Sequence, residues 1–229
     1  MLPSSMLAAS SRRSGQGESM NDLAYRAIKA RIVALEMPPA SVVDETALVD
    51  ELGVGLTPVR QALRRLALEN LVVILPRRGT LVADLNASDL SKIYEMRVEL
   101  ETLATRLAAE RATPQQQRRM QELSLEATHL TAPIDSHTYL EIDHRMHLLL
   151  WQSAHNEFLE ETLDGLFSHA LRLWNFAVDR AEQLDKVLEQ AIEEHVRIFE
   201  LIIAHDEAGA AQLMRRHINR FQHEMLQLF

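Results

Sequence analysis

Residues 57–85, TPVRQALRRLALENLVVILPRRGTLVADL, carry the strand signals of the chain. A helical run ends near Asn70, and the β-branched LVVIL and TLVADL follow it, separated by the turn PRRG. Two such runs around a Gly-containing turn read as a short ribbon. Upstream, MNDLAYRAIKARIVAL repeats apolar residues at helical spacing (Leu23, Ala27, Ile28, Ile32, Leu35), and Pro38 and Pro39 stop it. DETALVDELGV reads as a second helix, with Asp44 as N-cap and Gly53 at its end. Thr57 is placed to cap the third helix, with Pro58 in its first turn. Three helices and a two-stranded wing predict a winged helix-turn-helix over residues 19–85.

From residue 86 to 229 the pattern is helix after helix, which predicts an all-α bundle of six or seven helices. Ser88 reads as the first cap, Pro114 and Pro133 each open a helix, and Asn156 caps another; the last two span about 182–204 and 206–226. The fold class is therefore mainly α. Residues 1–18 are small and polar and read as a disordered tail; Arg12 and Arg13 beside so short an apolar run make a poor signal peptide. Charge breaks every long apolar stretch, so no membrane span is expected. The absence of cysteine removes disulfides and thiolate metal sites, and it fits a reducing cytoplasm. Any metal must then use His, Asp or Glu. Charge is unevenly divided: residues 1–85 hold 10 Lys/Arg and 9 Asp/Glu, whereas residues 86–229 hold 14 and 24.

The third helix has two chemically different sides. Val59, Ala62, Leu63 and Leu66 form an inward stripe, and the opposite side presents Thr57, Arg60, Gln61, Arg64 and, at its edge, Arg65. Arginine and glutamine are the side chains that reach guanine and adenine edges in the major groove. Arg77, Arg78 and Gly79 lie at the tip of the ribbon, where a wing can enter a minor groove. This local clustering points to double-stranded DNA despite the acidic chain as a whole.

In the helical region, polar residues fall on faces that are otherwise apolar. Asp143 and His147 are four apart on a face with Leu140, Leu150, Trp151 and Ala154. His195 shares a stripe with Ile192, Val196, Phe199 and Ile202, and His217 with Met214, Ile218, Phe221 and Met225. Singly, each reads as a core histidine satisfied by a neighbour. Recurrence on three helices points to a shared partner, a divalent metal held by three imidazoles and one carboxylate. Zinc is first among the candidates, with nickel or another transition metal as alternatives. Arg97 shares a face with Ile93, Leu100, Ala104 and Leu107; it can clamp a ligand carboxylate or pair with Glu101 at i+4. Arg172 and His169 are further candidates for the same cavity, whereas His129, His137, His144, His155, His205 and His223 read as surface residues.

ELGVGLTPVRQALRRLALENLVVILPRRGTLV resembles the N-terminal domain of GntR-family transcription regulators, and the resemblance spans residues 20–85. It implies that Thr57, Arg60, Arg78 and Gly79 contact operator DNA. Gly55 and Leu56 stand where that family usually has Ser and Arg, Gln61 replaces a usual Glu, and Asn70 a usual Gly. Residues 87–225 resemble the FCD ligand-binding domain of the FadR subfamily through RVELETLATRLAA, DHRMHLLLWQSAHN, EEHVRIFELIIAHDEAGA and MRRHI. That resemblance implies a metal on Asp143, His147, His195 and His217 inside an effector pocket, a small organic acid as effector, and a homodimer. The expected function is a cytoplasmic, ligand-responsive transcription regulator rather than an enzyme. The alternatives are a metal-responsive regulator without an organic effector and a metal-dependent hydrolase.

Overall fold

The computed structural model describes residues 19–177 and 184–227. The expected tail over residues 1–18 lies outside them, as do residues 182 and 183 at the expected start of the penultimate helix. Two compact units meet between Asn86 and Ala87.

The first unit contains α1 (Met20–Val33), α2 (Glu45–Leu52), α3 (Leu56–Leu68), β1 (Val72–Leu75) and β2 (Gly79–Val82). The strands are antiparallel, with Val72 opposite Val82 and Leu75 opposite Gly79. Arg77 and Gly79 take left-handed φ values of 63° and 97° to close the turn, a conformation that glycine adopts without steric cost. Helix α3 packs on both α1 and α2, and its Val59, Ala62, Leu63 and Leu66 are buried. Helix α1 is rotated from the expected stripe: Leu23 is exposed, while Tyr25 and Lys29 are buried beside Ala24, Ile28 and Ile32. Burial of Lys29 is possible because its Nζ lies 3.1 Å from the Glu69 carboxylate and donates to Tyr25 Oη at 3.2 Å.

The second unit contains α4 (Ala87–Arg111), α5 (Pro114–Thr128), α6 (Ser136–Ser153), α7 (Glu157–Ala177), α8 (Leu184–Ile203) and α9 (Glu207–Leu226). These are six helices among the described residues. Helix α4 is the hub, packed against α6, α7, α8 and α9. Its inward row at i, i+3, i+4 spacing includes Tyr94, Arg97, Glu101 and Thr105, so polar groups reach the middle of the bundle.

Three helix starts differ from the expected ones. Helix α3 begins at Leu56 with Gly55 as N-cap, because Gly55 O already accepts the first helical bond from Val59 N; Thr57 is therefore inside the first turn and caps nothing. Helix α4 begins at Ala87, ahead of Ser88. Helix α6 begins at Ser136, not Pro133, because Asp135 supplies the cap by accepting from Thr138 N at 2.8 Å. Asp44, Asn156 and Pro114 hold the terminal positions expected of them. Asp206 caps α9 through Gly209 N at 2.9 Å, and a Cβ at Gly209 would collide with that carboxylate.

Candidate functional site

On α3 the buried stripe leaves Thr57, Arg60, Gln61 and Arg64 exposed together, and Arg77, Arg78 and Gly79 are exposed at the wing. Arg65 belongs elsewhere: it stacks 3.6 Å over the Tyr25 ring and pairs with Asp22 at 3.4 Å, so it serves the α1–α3 contact. Arg60 is braced by Glu45, whose Oε2 accepts from Arg60 Nε at 2.8 Å. That bond uses the stem-side donor and leaves the terminal guanidinium nitrogens to reach outward. Arg60→Ala is expected to weaken operator binding by about 1–3 kcal/mol, the range for a lost bidentate base contact. Fluorescence anisotropy on a labelled operator measures it, and unchanged affinity would remove Arg60 from the reading face.

In the second unit, His147 on α6, His195 on α8 and His217 on α9 converge, with one ligand-type nitrogen of each within 4.8 Å of the others. All three are buried. The Nε2 atoms of His147 and His195 are 3.1 Å apart. Two nitrogens bound to one ion at about 2.0–2.1 Å can have such a spacing. Asp143 stands at the edge of this group: its Oδ1 lies 3.4 Å from His195 Nδ1 and accepts from Tyr139 Oη at 3.1 Å.

Two carboxylates not assigned to this role from sequence orient the imidazoles. Glu101 Oε2 lies 3.3 Å from His147 Nδ1 and accepts from Trp151 Nε1 at 2.7 Å. Glu194 Oε2 lies 2.6 Å from His217 Nδ1 and also binds the Arg220 guanidinium at 2.7 Å. With Nδ1 engaged by a carboxylate, each ring turns its Nε2 away from that partner; this is the arrangement in which histidines ligate metals. Burial works to raise both carboxyl pKa values. The surrounding donors outweigh it, His147, Arg97 and Trp151 for Glu101 and His217 and Arg220 for Glu194, and hold each at about 2. Burial pushes His195 well below the usual histidine range, reinforced by His217 and His147, and lowers His217 as well, against the opposing Glu194 bond. These shifts favour neutral His195 and His217, the state that accepts a metal, and together with the convergence of the three rings they make a donor set that fits a divalent transition-metal ion.

Beside this cluster lies a cavity lined by Arg97, Asp143, His147 and His217 together with the rings of Tyr139, Phe167, Trp174 and Phe221. Arg97 is buried and pairs with Glu101 through Nη2 at 3.0 Å, so the i+4 pairing forms and the residue also faces the cavity. Arg172 is buried on α7 but is not among the lining residues: Phe167, Ala170, Leu171 and Trp174 form the lining row, and Arg172 is off it. His169 is half-buried and also off that row. His144 is not a surface residue; it is buried, stacked on Phe167 at 5.0 Å, because α6 packs against α4, α5, α7 and α8 and has little free surface.

The sequence matches the model of bacterial regulatory proteins of the gntR family over residues 21–82 and that of the FCD domain over residues 92–220. It is 28% identical over 200 residues to the HTH-type transcriptional regulator YdhC of Bacillus subtilis, covering 85% of this chain and 86% of that protein. It is also 28% identical over 196 residues to the Nta operon transcriptional regulator of Aminobacter aminovorans, covering 86% and 90%. The solved structure of Escherichia coli McbR/YncC superposes with a TM-score of 0.80 at 22% identity, over 92% of this chain and 99% of that one, a likeness of fold.

Proposed function

Since this chain belongs to the gntR family of bacterial regulatory proteins, carries an FCD domain and is thus a DNA-binding transcriptional regulator, we propose that it senses a small organic acid at a metal centre in the FCD domain. One observation carries the reading: imidazoles of a metal-fit cluster and the Arg97 guanidinium line the same cavity. His147, His195 and His217, with Asp143 beside them, would hold the ion, which when bound supplies a Lewis-acidic partner for a carboxylate oxygen. Glu101 and Glu194 keep the imidazoles oriented, and Arg97 offers the acid a charge-assisted donor. The rings of Phe167 and Trp174 exclude water around it. The protein works in this reading as a cytoplasmic homodimer on operator DNA, read by Arg60, Gln61, Arg64 and the wing. The acid acts on DNA affinity only to the extent that it binds two conformations unequally.

The test titrates a labelled operator with zinc-loaded protein, with and without a panel of small carboxylates. An active acid should shift DNA affinity by roughly 5–150-fold. Arg97→Lys keeps the ion pair with Glu101 but loses the fork, so it should bind DNA normally and lose most of the acid response. A response equal to wild type would make Arg97 a structural partner of Glu101 alone. The existing Arg97–Glu101 pair favours one second reading, a metal-responsive regulator without an organic effector. Operator affinity that follows metal and ignores every acid would establish it.

A further inference from the structure

Two residues that line the cavity each carry a buried N–H donor with no acceptor among the described residues: Arg97 Nε and Trp174 Nε1. Their side chains belong to residues only 4% and 2% exposed. Buried donors without a partner are uncommon, and each costs free energy. Two groups of the same kind nearby are satisfied from within the unit. Trp151 Nε1 donates to Glu101, and Arg97 Nη2 donates to the same carboxylate. The two orphans come from different helices, Arg97 from α4 and Trp174 from α7, and have different ring neighbours. Arg97 lies against the Tyr94 and Phe167 rings, its guanidinium carbon 5.3 and 5.5 Å from their centroids. Trp174 lies against Tyr139 and Phe221, 6.1 and 5.4 Å away, and stacks on the latter. Leu140, Ala170, Leu171 and Ile218 supply apolar wall. A molecule that answered both donors would need an acceptor at each of two separated places and an apolar body.

We infer that the effector is an organic acid that carries, at the end of an apolar body remote from its carboxylate, an uncharged oxygen accepting from Trp174 Nε1–H. The inference rests on the acid-sensing reading above and deepens it. The carboxylate goes to Arg97, which carries the only guanidinium among the described lining residues. The oxygen at the Trp174 end is a hydroxyl or carbonyl and not a second carboxylate. Rings wall that end, and the Arg220 guanidinium, whose charge acts on Tyr139, is already paired with Glu194 and Glu224, so a second anion there would lack a counter-charge of its own. Trp174 is then a specificity residue: it distinguishes an oxygenated acid from the same acid bearing a methyl group.

The experiment is calorimetric titration of zinc-loaded, full-length protein with matched acids. The probes are ω-hydroxy acids from hydroxypropanoate to hydroxyhexanoate and 4-hydroxybenzoate, each paired with the acid that has methyl in place of hydroxyl. At one body length the hydroxy acid should bind roughly 5–150-fold more tightly, the range for leaving a buried donor unanswered. Trp174→Phe keeps a ring and removes the N–H, so it should abolish that preference while still binding the methyl acid. A measurement on the unmutated protein covers the case in which this variant does not fold. The chain has two tryptophans, so two indole N–H resonances report directly. The preferred hydroxy acid should shift one of them downfield and its methyl partner should not. Acids that bind without preference at any length, or a preference that survives in Trp174→Phe, would overturn the inference and leave acid sensing intact. If no acid binds in either class, acid sensing itself fails.

Discussion

Glu101→Ala is expected to destabilise the helical unit by about 3–5 kcal/mol, the usual cost of removing one partner from a buried ion pair. Glu101 is fully buried, and its carboxylate is the acceptor for three groups at once: Arg97 at 3.0 Å, Trp151 at 2.7 Å and His147 at 3.3 Å. Alanine leaves the Arg97 charge in the bundle centre without its counter-ion and leaves the indole N–H without an acceptor. The cost is therefore that of stranded partners more than of one lost contact. Glu101→Gln, which retains the shape and one acceptor oxygen, should cost less. Urea unfolding followed by circular dichroism measures both, and a loss below about 1 kcal/mol for alanine would mean that Arg97 finds another partner. The pH dependence has a definite sign. The folded carboxyl is held at about 2, below its ordinary value near 4.5. Its contribution is therefore present above the ordinary range and is lost as pH falls from there towards 2. The alanine variant should lack that part of the acid limb of the unfolding curve.

The second large effect is on metal. His195→Ala and His217→Ala should each lose more zinc affinity than the roughly 10–100-fold that a hydrogen-bond partner of a ligand contributes, and Glu194→Gln should lose about that much. The ordering follows from the geometry: the imidazoles converge on one point, whereas Glu194 acts through His217 at 2.6 Å. Chelator competition with elemental analysis reads the affinities. His144→Ala is the control, since this neighbouring imidazole is buried against Phe167 outside the convergent set and should leave bound zinc unchanged. Loaded wild type that retains no metal after dialysis would end the metal reading. Where zinc does bind, it should raise unfolding stability by about 2.7 kcal/mol at a hundredfold excess over its dissociation constant.

Local pattern carried much of this molecule. Periodicity sorted α3 into a buried side of Val59, Ala62, Leu63 and Leu66 and an exposed side of Thr57, Arg60, Gln61 and Arg64, because a helix held on one face has one answer for each residue. The same rule turned Asp143, His147, His195 and His217 inward. The β-branched runs marked the wing, and the end of such runs at Leu85 stands next to the junction of the two units. Helix starts were legible to within about three residues: the helix expected to open at Pro133 begins at Ser136, where Asp135 caps it through Thr138 N. Tertiary structure alone decided the rest. His144 looks exposed when α6 is given one buried face, and is buried because four helices surround it. Glu101 reads from sequence as the i+4 partner of Arg97, and Glu194 as one of two adjacent acids on an amphipathic helix. Their second partners, His147 and His217, lie 46 and 23 residues away. Spacing along a chain specifies which face a side chain takes. Which groups meet there depends on how helices cross, and so on the packing of all six at once.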